Sequence, residues 1–471
     1  SEEIVRDSVR LGMIQTDGDD IFWTEGRPSE KGRTVLVRCE ANGRRTDVTP
    51  GEFSVRTRAH EYGGGDFLVR DGVAYFANDA DQRLYRQAPG EPPGALTPEG
   101  DWRYADLATD HQRERLVCVV ESGNENYIGV IPTSGGEPGR LVQGNDFYSN
   151  PVVSPDGATL AWLTWNHPNM PWDSTELWQA TFAEDGTIRD PVRVAGGPDE
   201  SVFQPQWSVD GVLHFVSDAS GWWNLYAWED GRPVCRLGGE REMGLPQWVF
   251  GMSTYALLDD SRTAVAVNQQ GIWQLVITNP EGDEERLRVE WTDISSVRAL
   301  PGGLAFVGGS PREADCVIRY DFSSSRDRVV RRSSDLRLDP EWISHPQHIK
   351  YPAADGGVAH AFYYAPTHPD CVSPPEETPP LIVKSHGGPT ASASTALNPR
   401  TQYWTSRGFA VLDVNYRGST SYGRAYRKKL EGQWGIADVE DCIAGARFLV
   451  EHGKADKKRL AITGGSAGGY T

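Results

Sequence analysis

The chain has 471 residues, 38% of them apolar and 24% charged, a balance that describes a globular protein of more than one domain and excludes a disordered one. A formal charge of −19 excludes the cationic surface that nucleic-acid binding requires, and no apolar run approaches transmembrane length, so neither nucleic acid nor membrane is an expected partner. The six cysteines, Cys39, Cys118, Cys235, Cys316, Cys371 and Cys442, form no C-x-x-C pair, and no signal peptide opens the chain; both features read as free thiols in a cytoplasmic protein.

From about residue 17 to 325 a pattern repeats: a β-rich apolar run, a polar turn, then a second apolar or aromatic run. The leading runs are Ile21-Phe22-Trp23, Val73-Ala74-Tyr75-Phe76, Leu116-Val117-Cys118-Val119-Val120, Leu160-Ala161-Trp162-Leu163, Val212-Leu213-His214-Phe215-Val216, Thr263-Ala264-Val265-Ala266-Val267 and Leu304-Ala305-Phe306-Val307. Most have a partner, such as Glu176-Leu177-Trp178 or Asn224-Leu225-Tyr226-Ala227-Trp228. Turn signals such as Ser154-Pro155-Asp156-Gly157 separate them. Successive leading runs start roughly 40–50 residues apart, the length of one four-stranded propeller blade. A lone blade exposes both faces, and radial stacking buries them. The predicted architecture for residues 1–330 is therefore an all-β seven-bladed β-propeller, with a β-sandwich or solenoid as the competing arrangement. Two segments stand apart from blade filler: residues 58–65, with ionisable groups beside three glycines, and residues 165–173, rich in aromatics and proline. Each is read either as the lining of a substrate cavity or as packing between blades.

Residues 331–345 read as a polar linker, after which strands alternate with helices, the mark of an α/β domain spanning 346–471. A hairpin around Asp355-Gly356-Gly357 is followed by strands at Leu381-Ile382-Val383-Lys384 and at 409–415. Val439, Cys442, Ile443, Ala446, Leu449 and Val450 recur at helical spacing, with acidic residues in the first turn and Gly453 beyond the end, so the helix is predicted from Ile436 to His452. Leu460-Ala461-Ile462-Thr463 is a short strand that leads into Gly464-Gly465-Ser466-Ala467-Gly468-Gly469.

That last string is a G-x-S-x-G following a strand, the context of a nucleophile elbow, in which a serine sits on a strained strand-to-helix turn and small neighbours prevent collision. Ser466 is the candidate catalytic residue. His386-Gly387-Gly388-Pro389 also follows a strand, and an HGG-type turn supplies one N–H to a tetrahedral oxyanion while the residue after the nucleophile supplies the other. The oxyanion-hole candidates are accordingly the N–H groups of Gly387 and Ala467. His386 is excluded as the catalytic base by topology, because in this fold the histidine follows the serine. His452, on the preceding helix, is a poor base.

These motifs, together with Asn415-Tyr416-Arg417-Gly418-Ser419, Tyr422-Gly423, Trp434-Gly435, Asp438-Val439 and Asp441, resemble the acylaminoacyl-peptidase and dipeptidyl-aminopeptidase branch of the prolyl oligopeptidase family. The resemblance implies a propeller followed by an α/β-hydrolase domain, and a Ser-Asp-His peptidase acting on short peptides between them. Candidate substrate contacts are Glu61, Glu125, Tyr416 and Arg417. Only five residues follow Ser466, so the hydrolase domain is expected to be incomplete here, with the Asp and His in a further C-terminal part that would be this chain's partner. No P-loop or metal-ligand spacing appears, and no cofactor or metal is implied. A serine esterase with the same elbow and a non-catalytic propeller scaffold are the rival functions; the propeller argues against the first and the intact motifs against the second.

Overall fold

The structure, a computed structural model, describes residues 8–471. The first seven residues of the expected propeller segment lie outside the described residues. Among the described residues, seven four-stranded sheets follow one another at residues 10–47, 67–95, 103–142, 147–196, 202–237, 255–286 and 293–332, each with its strands paired in chain order. Each leading run found in the sequence lies on the second strand of its blade, and the partner runs lie on the third. The second strands are covered on both faces, which is why they carry the continuous apolar runs.

Seven apolar clusters join neighbouring blades in turn, and one of them closes the ring. It packs Ile14, Ile21, Trp23 and Val35 of the first blade against Leu300, Ala305 and Val317 of the last. Among the described residues every blade consists of consecutive strands, and the first and last blades meet there through these side chains and a polar seam. In that seam Val9 N–H donates to Ser333 O at 2.7 Å, Arg331 pairs with Glu25 at 2.8 Å and Arg319 with Asp19 at 3.0 Å. Arg331 and Arg332 thus belong to the last propeller strand, Arg326–Arg332, and not to the linker in which the sequence reading placed them. A charged outer strand facing solvent is easily mistaken for a connection.

The segments entering the second and sixth blades meet across the propeller axis. Gly64 and Phe250 form a parallel β-bridge, and Phe250 N–H donates to Gly63 O at 2.9 Å. Gly64 has φ +88°, and a Cβ there would stand 2.4 Å from Phe250 O, so only glycine permits this approach. The strap borders an axial cavity of about 290 Å³ that contains Asp106, Asn150, Gln204 and Arg298.

The second domain holds a five-stranded sheet in the order Gln347–Pro352, Val358–Tyr364, Ala410–Asn415, Leu381–Ser385, Leu460–Gly464, antiparallel in the first two pairings and parallel in the rest. The helix Ala437–Glu451 covers one face through Cys442, Ala446 and Leu449, within a residue of its predicted bounds. Leu460–Gly464 is an edge strand in this sheet, and its Ile462 is 55% exposed.

The domains are joined by a buried charged cluster. Arg424 and Arg427, on the short helix Arg424–Arg427, both donate to Asp218 of the propeller, at 2.6 and 2.5 Å. Glu242 accepts from the backbone N–H of Trp223 and of Gly423, at 2.9 and 3.0 Å. Burial raises its pKa, with Arg427 and those two N–H groups opposing. Arg427 also lies over the Trp223 ring, 4.1 Å from its centre. Two cations thus face two carboxylates with almost no exposure, and removing one member leaves an uncompensated buried charge. Asp218→Ala is expected to destabilise the folded chain by about 3–5 kcal/mol, with Asp218→Asn in between, as read by urea unfolding.

Candidate active site

The strand Leu460–Gly464 runs into the helix Ala467–Tyr470 through Ser466, whose φ of 54° and ψ of −124° lie outside the ordinary regions for a non-glycine residue. The glycines on either side make the turn feasible. A Cβ on Gly464 would stand 2.2 Å from Gly468 O, and one on Gly468 would stand 2.1 Å from Ser385 O and 2.7 Å from His386 O. Gly465 and Gly469 meet no such obstacle. The two glycines that the G-x-S-x-G spacing requires are therefore the two that sterics demand. The Ser466 residue itself is exposed.

The loop after the strand Leu381–Ser385 lies directly against this turn. A Cβ on Gly387 would be 3.5 Å from Ser466 Cβ and 3.2 Å from Gly465 O. Ala467 is the first residue of the following helix, where a backbone N–H has no partner within the helix. The structure thus brings Ser466, Gly387 and Ala467 to one place.

His386 faces away from that chemistry. One ring nitrogen, Nδ1, stands 2.8 Å from Gly387 O and must carry the proton, since a carbonyl only accepts. The other, Nε2, is 2.8 Å from Ser419 Oγ and accepts from that hydroxyl in the neutral imidazole. The ring stacks on Tyr416 at 4.3 Å, and burial lowers its pKa. Both nitrogens are engaged in holding the glycine loop, in keeping with the exclusion of His386 as base. The part played by Ser419 is not visible in the sequence, because its partner lies 33 residues away.

Two of the expected substrate contacts are corrected by the same network. Tyr416 is fully buried, its hydroxyl donating toward His386 O at 3.1 Å and Pro389 O at 3.3 Å. Arg417 is 5% exposed and clamped to the helix Ala437–Glu451, with Nε 3.0 Å from Asp441 Oδ1 and Nη2 2.9 Å from Glu440 Oε2. Burial disfavours the Arg417 charge, but these carboxylates outweigh it and leave its pKa raised. Neither side chain is free to meet a substrate. Both directly follow the strand Ala410–Asn415, and Tyr416 braces the glycine loop while Arg417 ties the same turn to the helix Ala437–Glu451.

On the propeller side, residues 60–63, 167–171 and 247–250, with Phe147 and Trp165, enclose a cavity of about 320 Å³. The two segments singled out in the sequence therefore line one space, joined by a third that the sequence reading did not mark. Phe147 stacks on Trp165 at 5.5 Å and meets His167 edge-on at 4.9 Å, while His60 lies 4.7 Å from Phe250. Trp248 ties this cavity to the other domain, its Nε1–H donating to Thr390 O at 2.7 Å, three residues past Gly387. Glu61 stands at the cavity with its side chain 80% exposed and pairs with Arg103 at 3.0 Å. Arg103 also pairs with Glu121 at 2.8 Å. Glu125, on the hairpin of the third blade, is paired with Arg140 instead and does not line the cavity.

Comparison with known proteins places these features in a context. The sequence profile of the prolyl oligopeptidase family matches residues 395–471. The structure superposes on a puromycin-hydrolyzing peptidase of Mycobacterium tuberculosis with a TM-score of 0.94 and 38% identity, covering 99% of this chain and 75% of that one. A puromycin hydrolase crystal structure gives 0.91 and 36%, covering 98% of this chain and 74% of that one. Among curated proteins, a dipeptidyl peptidase family member 6 of Caenorhabditis elegans is 39% identical over 90 residues, which are 19% of this chain and 12% of that protein. The acylamino-acid-releasing enzyme of Arabidopsis thaliana is 38% identical over 91 residues, with the same coverage. The match thus spans about an eighth of the length of these curated relatives.

His60 supplies a pH signature of the cavity. Burial pushes its pKa from 6.5 down to about 4, so the ring is uncharged at neutral pH. A group with a depressed folded pKa gives stability that is complete above its unfolded value and is lost as pH falls through the folded one. Between about pH 7 and pH 4.5, His60→Phe is therefore expected to lose less stability than the wild type, measured by urea unfolding across that range.

Proposed function

The chain belongs to the prolyl oligopeptidase family, and on that premise we propose that the complete protein is a serine peptidase that hydrolyses short peptides between its propeller and its α/β-hydrolase domain. The observation that carries the reading is Ser466, held at φ 54° on its strand-to-helix turn with the Gly387 loop packed against it. Ser466 Oγ attacks the peptide carbonyl carbon, and the electron pair displaced onto oxygen is stabilised by the N–H groups of Gly387 and Ala467. A histidine takes the Oγ proton and passes it to the amine that leaves as the C–N bond breaks, and an aspartate orients that histidine. Water then cleaves the acyl-enzyme by the reverse sequence. The chain order in this fold is Ser, Asp, His, so both partners follow Ser466.

The similarity to a puromycin-hydrolyzing peptidase, a dipeptidyl peptidase family member and an acylamino-acid-releasing enzyme supports this reading over an ester hydrolase or a binding scaffold. Glu61 at the cavity is the candidate contact for a substrate amine. The contacts that draw the propeller onto the Gly387 loop support a preference for short peptides over folded proteins.

The complete protein is expected to react with a fluorophosphonate and to release p-nitroaniline from aminoacyl anilides, and Ser466→Ala is expected to abolish both. Absence of labelling in the folded complete protein would remove the reading. Proline has no N–H, so Gly387→Pro is expected to lower kcat by about a hundredfold or more. A folded variant with near-normal kcat would take Gly387 out of the oxyanion hole.

A further inference from the structure

The cavity on the propeller axis, of about 290 Å³, takes its walls from the first strands of all seven blades. Asp218, which meets the hydrolase domain, follows Ser217, and Ser217 pairs with Val202 at the start of its blade's first strand. The starts of the first strands therefore face the hydrolase domain. The lining residues Thr16, Ala108, Gln206 and Ala299 stand within two residues of the ends of theirs, so the cavity lies toward the opposite face of the propeller, away from Ser466.

Two opposite charges line this space without meeting. Asp106 Oδ2 accepts from Asn150 N–H at 2.8 Å, and its carboxylate also accepts from Gly251 N–H. Arg298 donates to Ser253 Oγ, to Val297 O at 3.1 Å and to Gly251 O at 3.1 Å. Each is bonded to uncharged groups, and none of these bonds joins one to the other. Burial pushes Asp106 up to about 6 and Arg298 down to about 10, the mark of charges whose lost hydration is not fully replaced. A guanidinium has five N–H donors and a carboxylate about four acceptor sites, so both keep capacity toward the cavity. Gln206 adds an amide oxygen that is buried without a partner. Asp66, held by Thr57 N–H at 2.7 Å, is near enough to raise Asp106 further, which makes the Asp106 end the negative pole.

The backbone is shaped around the same groups. Asp106, Asn150 and Gln204 hold φ of 50°, 49° and 49° at register shifts in the first strands of three successive blades. A bulge re-aims side chains, and non-glycine residues keep such angles only where the surrounding structure imposes them.

We propose that the axial cavity binds a small zwitterion, a free amino acid or dipeptide, with its ammonium at Asp106 and its carboxylate at Arg298. A cation alone leaves Arg298 uncompensated and an anion alone leaves Asp106 so, whereas one molecule carrying both charges meets each. The volume, close to the lower end of ligand cavities at roughly 300 Å³, limits the occupant to this size. The site is separate from the candidate catalytic centre, and the proposal does not depend on the peptidase reading.

The test uses the complete protein carrying Ser466→Ala, so that no dipeptide is cleaved. Calorimetric titration compares glycylglycine with glycinamide, which lacks the carboxylate, and with N-acetylglycine, which lacks the ammonium. Glycylglycine is expected to bind at least about tenfold more tightly than either. Asp106→Asn and Arg298→Met are each expected to weaken it by about tenfold or more, with thermal unfolding reporting whether the variants fold. Crystals soaked in glycylglycine are expected to show it between Asp106 and Arg298, a measurement that needs no substitution in the cavity. Glycinamide binding as tightly as glycylglycine overturns the zwitterion assignment. Glycylglycine seen only beside the Gly387 loop, or nowhere, overturns the site.

Discussion

Gly468 presses against the carbonyl oxygens of Ser385 and His386 so closely that a Cβ would stand 2.1 Å from the first of them. That backbone-to-backbone contact sets the separation of the nucleophile turn and the glycine loop, and the candidate chemistry depends on that separation. One methyl group would force the two apart, and a hydrogen-bond donor displaced by a fraction of an ångström no longer meets a developing oxyanion. Gly464 extends the same requirement along the turn, where Gly468 O leaves no space for a side chain. The unusual backbone angles of Ser466 are the result, and surrounding contacts hold them in place.

Those contacts form layers. Behind the glycine loop stand His386, Ser419 and Tyr416, linked by a ring stack and hydrogen bonds. Behind them Asn415 accepts from Ala393 N–H at 2.7 Å and donates to Tyr422 at 2.9 Å, so the loop and the segment that follows the strand Ala410–Asn415 share one buried amide. That segment continues to Gly423, Arg424 and Arg427, which enter the propeller and meet Asp218 and Glu242. Arg424 and Arg427 also donate to the carbonyls of Asp173 and Trp172, at the end of the aromatic insertion. Trp172 packs against Trp248 at 4.4 Å, and Trp248 returns to Thr390. The path closes on itself, so the propeller cavity and the glycine loop are positioned by one continuous set of contacts.

The propeller brings rigidity to this arrangement. Its blades meet through apolar clusters on all seven interfaces, including the one between the last blade and the first. Segments entering the second and sixth blades and an insertion within the fourth can then converge on one cavity, because each is anchored by a sheet that cannot shift alone. The strap between Gly64 and Phe250 adds a direct link across the ring.

The amino-acid sequence by itself determined the features whose causes are local. The second strand of each blade announces itself because both of its faces are buried, and so its apolar run is nearly unbroken. The nucleophile elbow and the HGG turn are legible because small residues are obligatory where backbones touch. Outer strands such as Glu284–Arg286 are short and charged, and Arg326–Arg332 ends in residues that read as linker, since only one face of an edge strand needs apolar cover. Tertiary structure alone decided the rest. Tyr416 and Arg417 look like exposed recognition residues until their partners, His386, Asp441 and Glu440, come into place from other elements. The aromatic cavity, the Asp218 cluster and the closure of the ring join residues separated by about 100 to 300 positions, and no local window of sequence contains both sides of such a contact.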